Sequence, residues 1–187
     1  MKNVIDDISK IIEGCKRGNR NAQEKLYNKY SKLMFGLCLR YSNNYDEAKD
    51  ILHEGFIRIF KYIDQLRDIN AFEAWMKKIM VNSALEKYRN KMQTNSLIDA
   101  AEKNIDNYSI EAELSEKELL KMVQELSPQY RLVFNLYAIE GYSHKEISDM
   151  LNISEGTSKS NLSRARAILQ EKIKSITSEF SMKNKYE

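Results

Sequence analysis

The chain has 187 residues, 42% of them hydrophobic and 30% charged, which is enough apolar material for one or two small buried cores. Six Gly and one Pro supply too little turn punctuation for a sheet, so an all-α protein is expected. No stretch approaches the ~20 consecutive apolar residues of a bilayer span, and the acidic residues within Met1–Lys10 do not suit a signal peptide, so a cytoplasmic protein without membrane insertion is expected.

The net charge of +3 is unevenly spread. Residues 1–92 carry 18 Lys and Arg against 12 Asp and Glu, residues 93–126 carry 3 against 8, and residues 127–187 carry 9 against 7. Two basic ends around an acidic middle point to a polyanion touched at two places. Cys15 and Cys38 are the only cysteines and neither has paired metal-ligand spacing. No disulfide, zinc site or other cofactor is expected, and Cys38 is the better core candidate.

In chain order, Val4, Ile5, Ile8, Ile11 and Ile12 recur at helical spacing in a first helix that ends by about Arg20. From Asn21, the positions Ala22, Leu26, Tyr30, Leu33 and Leu37 form the apolar stripe of a second helix, which Asn43 and Asn44 break. A third helix, roughly Asp46 to Ile63, has a buried stripe of Ala48, Leu52, Phe56, Ile59 and Ile63. Asp46, Glu47, Asp50, His53 and Glu54 crowd its first half. Two readings of this crowd stay open. The acids suit the helix dipole, each for about 0.3–1 kcal/mol. Ile57, off the stripe and beside them, suits a docking surface, and Gly55 in mid-helix implies close approach by something.

Asp64–Asn70 reads as a polar loop, with Asn70 and Glu73 capping a fourth helix. Phe72, Trp75, Met76, Ile79 and Met80 supply its core contacts, while Lys77, Lys78, Asn82, Ser83, Lys87, Arg89 and Lys91 give it a basic side. Aromatic groups interleaved with cations are what single-stranded nucleic acid requires, although Phe72 and Trp75 by themselves read more simply as core.

Periodicity is lost from Gln93 to about Ala112, where Asn, Asp and Ser accumulate. This divides the chain into a domain at 1–92, a flexible acidic linker at 93–113, a second domain at 114–177 and a tail at 178–187. In the second domain, helical periodicity resumes over Leu114–Leu126. Ser127 and Pro128 then form an N-cap and first-turn pair ahead of Leu132, Val133, Leu136 and Tyr137.

Gly141–Arg166 has the pattern of a helix-turn-helix. Ser143 and Glu146 form a capping box, the run breaks at Asn152, Ile153 plugs the corner and Ser154 caps the second helix. On that helix Ser158, Leu162, Ala165 and Leu169 share an inward face, while Lys159, Ser160, Ser163, Arg164 and Arg166 lie elsewhere. A basic outer face with small hydroxyl groups suits the major groove, where Arg and Lys donate to guanine edges. A solvated helical hairpin would explain the periodicity alone, but DNA binding is the favoured reading of this stretch.

DEAKDILHEGFIRIFK, AFEAWMKKIMVNSALEKYR, LSPQYRLVFNLYAIEGYSHKEISDML and ISEGTSKSNLSRAR, in that order and with a linker between the second and third, resemble the bacterial sigma factors of the extracytoplasmic-function class, the smallest members of the housekeeping sigma family. The resemblance covers nearly the whole chain. It implies two helical domains, the first binding core RNA polymerase and melting the downstream promoter element, the second binding the upstream element as duplex. It also implies a factor that is not an enzyme, with promoter DNA, both duplex and single-stranded, as partner and an anti-sigma factor as a further partner that the family admits.

Carried over by position, the resemblance places core binding on Asp50, His53, Glu54 and Ile57, with His53 where Gln is frequent. It places the downstream element on Leu66, Arg67, Trp75, Lys78, Asn82 and Ser83, with Leu66 less aromatic than in some relatives. Base reading in the upstream element falls on Lys159, Ser160, Ser163 and Arg164, and phosphate contact on Thr157, Asn161 and Arg166. Asn161 stands where Arg is common, which should weaken a phosphate contact. Ser158 stands where a buried Val is common, which should weaken packing.

The alternative from another class is a helix-turn-helix regulator with a sensor domain, which has no need of a basic aromatic helix around Trp75. An enzyme finds no support, because no nucleophile, base and orienting group are spaced as a unit and there is no Gly-rich phosphate loop.

Overall fold

The computed structural model describes the backbone of residues 2–94 and 116–183, and every regular element among them is helical. These residues form two units, one on either side of the undescribed stretch. Beyond Thr94 the expected linker lies outside the described residues, as does the end of the tail.

The first unit contains α1 (Lys2–Lys16), α2 (Arg20–Tyr41), α3 (Tyr45–Tyr62) and α4 (Phe72–Thr94). Asn19 starts α2 by accepting from the Ala22 N–H at 3.1 Å. Asn44 does the same for α3, from the Glu47 N–H at 2.8 Å, while the Glu47 carboxylate accepts from the Asn43 backbone at 2.7 Å. Helix α2 closes at its C-cap Ser42, and the asparagine pair just beyond it starts α3. A different residue from the expected one leads into α4. Asp68, not Asn70, is the cap, accepting from the Asn70 backbone N–H at 2.9 Å to start a 3₁₀ turn at Ile69–Ala71. Asn70 lies inside that turn and cannot cap the helix that continues it.

The five positions of the expected α3 stripe are all buried, with Ile63 in the short turn that follows the helix. On α2 the stripe is shifted. Leu33 is 50% exposed, and Met34 is buried with Leu26, Leu37, Cys38 and Tyr41, because the inward arc is centred nearer Cys38 and leaves Leu33 at its edge. Gly55 marks where α3 and α4 touch most closely. A β-carbon there would lie 2.1 Å from Met80 Sδ, so what approaches is α4 itself. Cys15 and Cys38 are both free and buried, and burial pushes the Cys38 thiol up to about 12.

The second unit contains α5 (Glu116–Gln124), α6 (Pro128–Phe134), α7 (His144–Leu151) and α8 (Glu155–Lys183), and α6 runs on into a wider π turn at Asn135–Ile139. Pro128 opens α6 as expected, but the Ser127 side chain makes no cap bond. Buried Arg131 instead joins α5 to α6, donating Nη1 to the Gln124 carbonyl at 2.7 Å and so satisfying a carbonyl that the end of α5 leaves open.

Met122, Leu126, Ala165 and Leu169 form a core between α5 and α8, with Tyr130 and Phe134 of α6 packed against it. The helix-turn-helix closes as its sequence requires. Ser143 and Glu146 complete the capping box, Asn152 takes the left-handed conformation at φ 52°, and Ser154 Oγ accepts from the Thr157 N–H at 3.0 Å.

Candidate docking and nucleic-acid surfaces

On α3, Asp50, His53, Glu54 and Ile57 are all exposed, Ile57 by 62%, on the side away from the buried stripe. The carboxylates already have intramolecular partners. Asp50 accepts from Lys87 Nζ at 2.7 Å, and Glu54 accepts from Arg58 Nε at 2.9 Å. Arg58 Nη1 also reaches Glu86 at 2.6 Å, and Lys91 lies 3.7 Å from Glu47. A ladder of ion pairs thus joins α3 to the second half of α4. The Lys87 hydrogen bond and charge hold the Asp50 carboxyl below the usual carboxylate range, and Arg58 does the same for Glu86. Ile57 is thus an exposed apolar residue among carboxylates that face solvent.

On α4, Lys78 and Asn82 are exposed, and Arg67 is exposed in the preceding loop. Phe72 is core at 2% exposure, while Trp75 is half-buried with its ring stacked on Phe72 at a centroid distance of 6.0 Å. Two residues expected at this surface are buried instead. Ser83, 3% exposed, sits one helical step from Asn82 on the inward side with Ala84 and Leu85, and its hydroxyl has no hydrogen-bond partner. Leu66, 6% exposed, fills the base of the loop, where its carbonyl accepts from Lys16 Nζ at 3.4 Å. Neither side chain is placed to contact a ligand of this conformation.

On α8, Thr157, Lys159, Ser160, Ser163, Arg164 and Arg166 are exposed, and Ser158, Leu162, Ala165 and Leu169 are buried, as the spacing predicts. Asn161 is the exception. It is 5% exposed and its Nδ2 has no partner, so the short amide turns into the helix packing and does not supply the phosphate contact expected there.

Ser158 is also better accommodated than its polarity suggests, because its hydroxyl lies 2.9 Å from His144 Nδ1. His144 stacks on Tyr137 at 4.5 Å, and the Arg166 guanidinium sits 5.6 Å from the centroid of that ring. Arg164 donates Nη1 to the Tyr130 hydroxyl at 3.3 Å. Tyr137, His144, Lys159, Ser163 and Arg166 line an open hollow of about 440 Å³ on one flank of α8.

From the sequence alone, Tyr130 and His144 have no assigned role and Tyr137 counts only as part of the helix that leads into the helix-turn-helix. No local pattern marks them, because Tyr130 lies on α6 and Tyr137 in the π turn after it, and what they meet depends on how this segment packs on α8.

Residues 26–94 match the family described as Sigma-70 region 2, and residues 116–169 match Sigma-70, region 4. The chain is 30% identical to the ECF RNA polymerase sigma factor SigW of Bacillus subtilis, over 90% of this chain and 98% of that protein. It is 25% identical to the ECF RNA polymerase sigma-E factor of Haemophilus influenzae, over 89% and 95%. A solved structure of the sigma factor RpoE from Bartonella quintana, in complex with the anti-sigma factor NepR, has the same fold at a TM-score of 0.56 and 20% identity, over 81% of this chain and 96% of that one. These matches support the extracytoplasmic-function class and lend nothing to a housekeeping role. Two helical units carrying regions 2 and 4 in order, aligned over almost the full length of a relative at 30% identity, place this chain in the family of extracytoplasmic-function sigma factors, which direct promoter-specific transcription initiation.

Proposed function

We propose that the outward face of α3, through Asp50, His53, Glu54 and Ile57, docks on core RNA polymerase in the cytoplasm. Arg67, Trp75, Lys78 and Asn82 then capture the melted downstream element, and Thr157, Lys159, Ser160, Ser163, Arg164 and Arg166 hold the upstream element. The observation that carries the docking assignment is Ile57, an isoleucine 62% exposed among carboxylates on a helix whose other side supplies the core. On α4 the exposed cations and amide beside a half-buried indole suit unpaired bases and phosphates. An anti-sigma factor, the partner seen with the Bartonella quintana protein, is a further partner for this chain.

The test is transcription from genomic fragments by core polymerase supplied with the purified chain. Asp50→Lys with Glu54→Lys should abolish co-purification with core while leaving the helical content intact. A folded double mutant that assembles with wild-type affinity would remove α3 from the docking surface.

A further inference from the structure

The two arginines of the recognition helix do not stand alone: each rests on a tyrosine of the segment before the helix-turn-helix. The Tyr130 ring is packed against the Met122, Leu126, Ala165 and Leu169 core, so its hydroxyl is fixed in space, and Arg164 Nη1 donates to that hydroxyl at 3.3 Å. Seven residues on, the Tyr137 ring is held by its stack on His144, and the Arg166 guanidinium lies over it at 5.6 Å from the centroid. Both tyrosines are half-buried, while both arginines are exposed. Neither contact adds to the apolar core, yet each removes rotamers from a long side chain that has to meet DNA.

We propose that Tyr130 and Tyr137 are specificity-determining positioning residues for the upstream element, Tyr130 presetting Arg164 and Tyr137 presetting Arg166. The inference rests on the assignment of Arg164 to base edges and Arg166 to phosphate. A guanidinium reads guanine through two parallel N–H bonds, and this geometry tolerates little swing. Fixing a flexible side chain before binding removes an ordering cost otherwise met at binding, so losing the preset weakens what that arginine does, by roughly 2- to 10-fold. Because the tasks of the two arginines differ, the losses differ in kind. Release of Arg164 blurs discrimination at the base pairs it reads, and release of Arg166 weakens all sequences alike.

The experiment uses holoenzyme assembled from core polymerase and the full-length chain, on a duplex promoter library randomised across the upstream element. Arg164→Ala should flatten preference at particular base pairs, and Tyr130→Phe, which keeps the ring and loses the hydroxyl, should flatten preference at the same pairs by roughly 2- to 10-fold. Tyr137→Leu should lower affinity uniformly without changing the preferred sequence, as Arg166→Ala should, and Tyr137→Phe, which keeps the ring, should behave as wild type.

If Arg164→Ala flattens the preference while Tyr130→Phe leaves it unchanged or sharpens it, Tyr130 does not preset Arg164. If Tyr137→Leu alters which bases are preferred, or leaves affinity unchanged while Arg166→Ala lowers it, Tyr137 does not preset Arg166. If Arg164→Ala itself leaves preference unchanged, the assignment of Arg164 to bases is wrong and the role of Tyr130 falls with it.

Discussion

Ser158, fully buried on the recognition helix, places its hydroxyl 2.9 Å from Nδ1 of His144, the first residue of the preceding helix. The serine stands where an aliphatic residue would simply fill space, and here a hydrogen bond replaces that packing. Such a bond contributes about 0.5–1.5 kcal/mol net, and either polar group left alone at a partly buried site costs at least as much. Ser158→Ala and His144→Phe should each destabilise the α7–α8 pair, and the double mutant should cost less than their sum by about 0.5–1.5 kcal/mol. Hydrogen exchange of the α7 and α8 amides measures both the single losses and the coupling. Simple additivity would mean that the two groups do not interact.

Asn82 and Ser83 are adjacent in sequence yet differ in burial, so they should differ in function. Asn82→Ala removes an exposed donor and acceptor, and holoenzyme carrying it should form the closed complex but leave few thymines reactive to permanganate near the start site, with activity recovering on a premelted template. Ser83→Ala removes a buried hydroxyl that has no partner, so melting should be unchanged and the first unit as stable or about 1 kcal/mol more stable. A melting defect in Ser83→Ala would show that α4 turns when it meets DNA.

Gly55→Ala should destabilise the first unit even though alanine is the better helix former by about 1 kcal/mol. The new methyl group meets Met80 inside a filled core, and overpacking of that kind costs about 1–3 kcal/mol. With Met80→Ala in place the sign should reverse, since the added methyl then occupies vacated volume. Trp75 is the only tryptophan and lies in this unit, so its fluorescence during urea unfolding reports the first unit alone.

Asp50 is paired with Lys87 across α3 and α4, so its ionisation bears on stability and, on the docking proposal, on core binding too. In the folded chain the Asp50 carboxyl is held below its ordinary value of 3.8, and the Glu86 carboxyl below its ordinary 4.5. Groups depressed in this way stabilise the fold above their ordinary values and lose that contribution as pH falls through the depressed ones. The first unit should therefore weaken progressively below about pH 4.5, and only slightly through these two groups, because both pairs are solvent-exposed. At neutral pH, Lys87 competes with any basic partner for Asp50. Lys87→Met should leave core binding as tight as wild type or make it tighter, whereas Asp50→Lys should weaken it, as titration of labelled protein with core would show. Weaker binding by Lys87→Met would mean that the lysine itself touches polymerase.

Much of this arrangement is legible in the sequence wherever one helix face is strongly marked. The α3 stripe, the α8 stripe, the capping box and the break at Asn152 all follow from spacing and from side chains with one good use. The reading fails where two neighbours compete for one place. Leu33 and Met34 are both apolar, and only the packing of α2 on α3 and α4 decides that the methionine turns inward. Asn82 and Ser83 are both polar, and one helical step of 100° separates surface from core. Asp68 and Asn70 are both good caps, and the 3₁₀ turn that the loop adopts selects the first. The seating of Arg164 and Arg166 on tyrosines lay out of reach for another reason, since it depends on how α6 crosses α8, which no local pattern encodes.

The π turn at Asn135–Ile139 follows directly on α6 and carries Tyr137. It accommodates one residue more than an α-helical turn, so every side chain after it is rotated by about 100° from where an unbroken helix would carry it. Tyr130 lies before the turn and Tyr137 within it, so the segment aims its two tyrosines independently although they are about two turns apart in sequence. Removing a single residue from this turn would leave a longer, more regular helix with all its hydrogen bonds. It should also turn the residues that follow Ile139 by about 100°, a change that composition and helical content would never reveal.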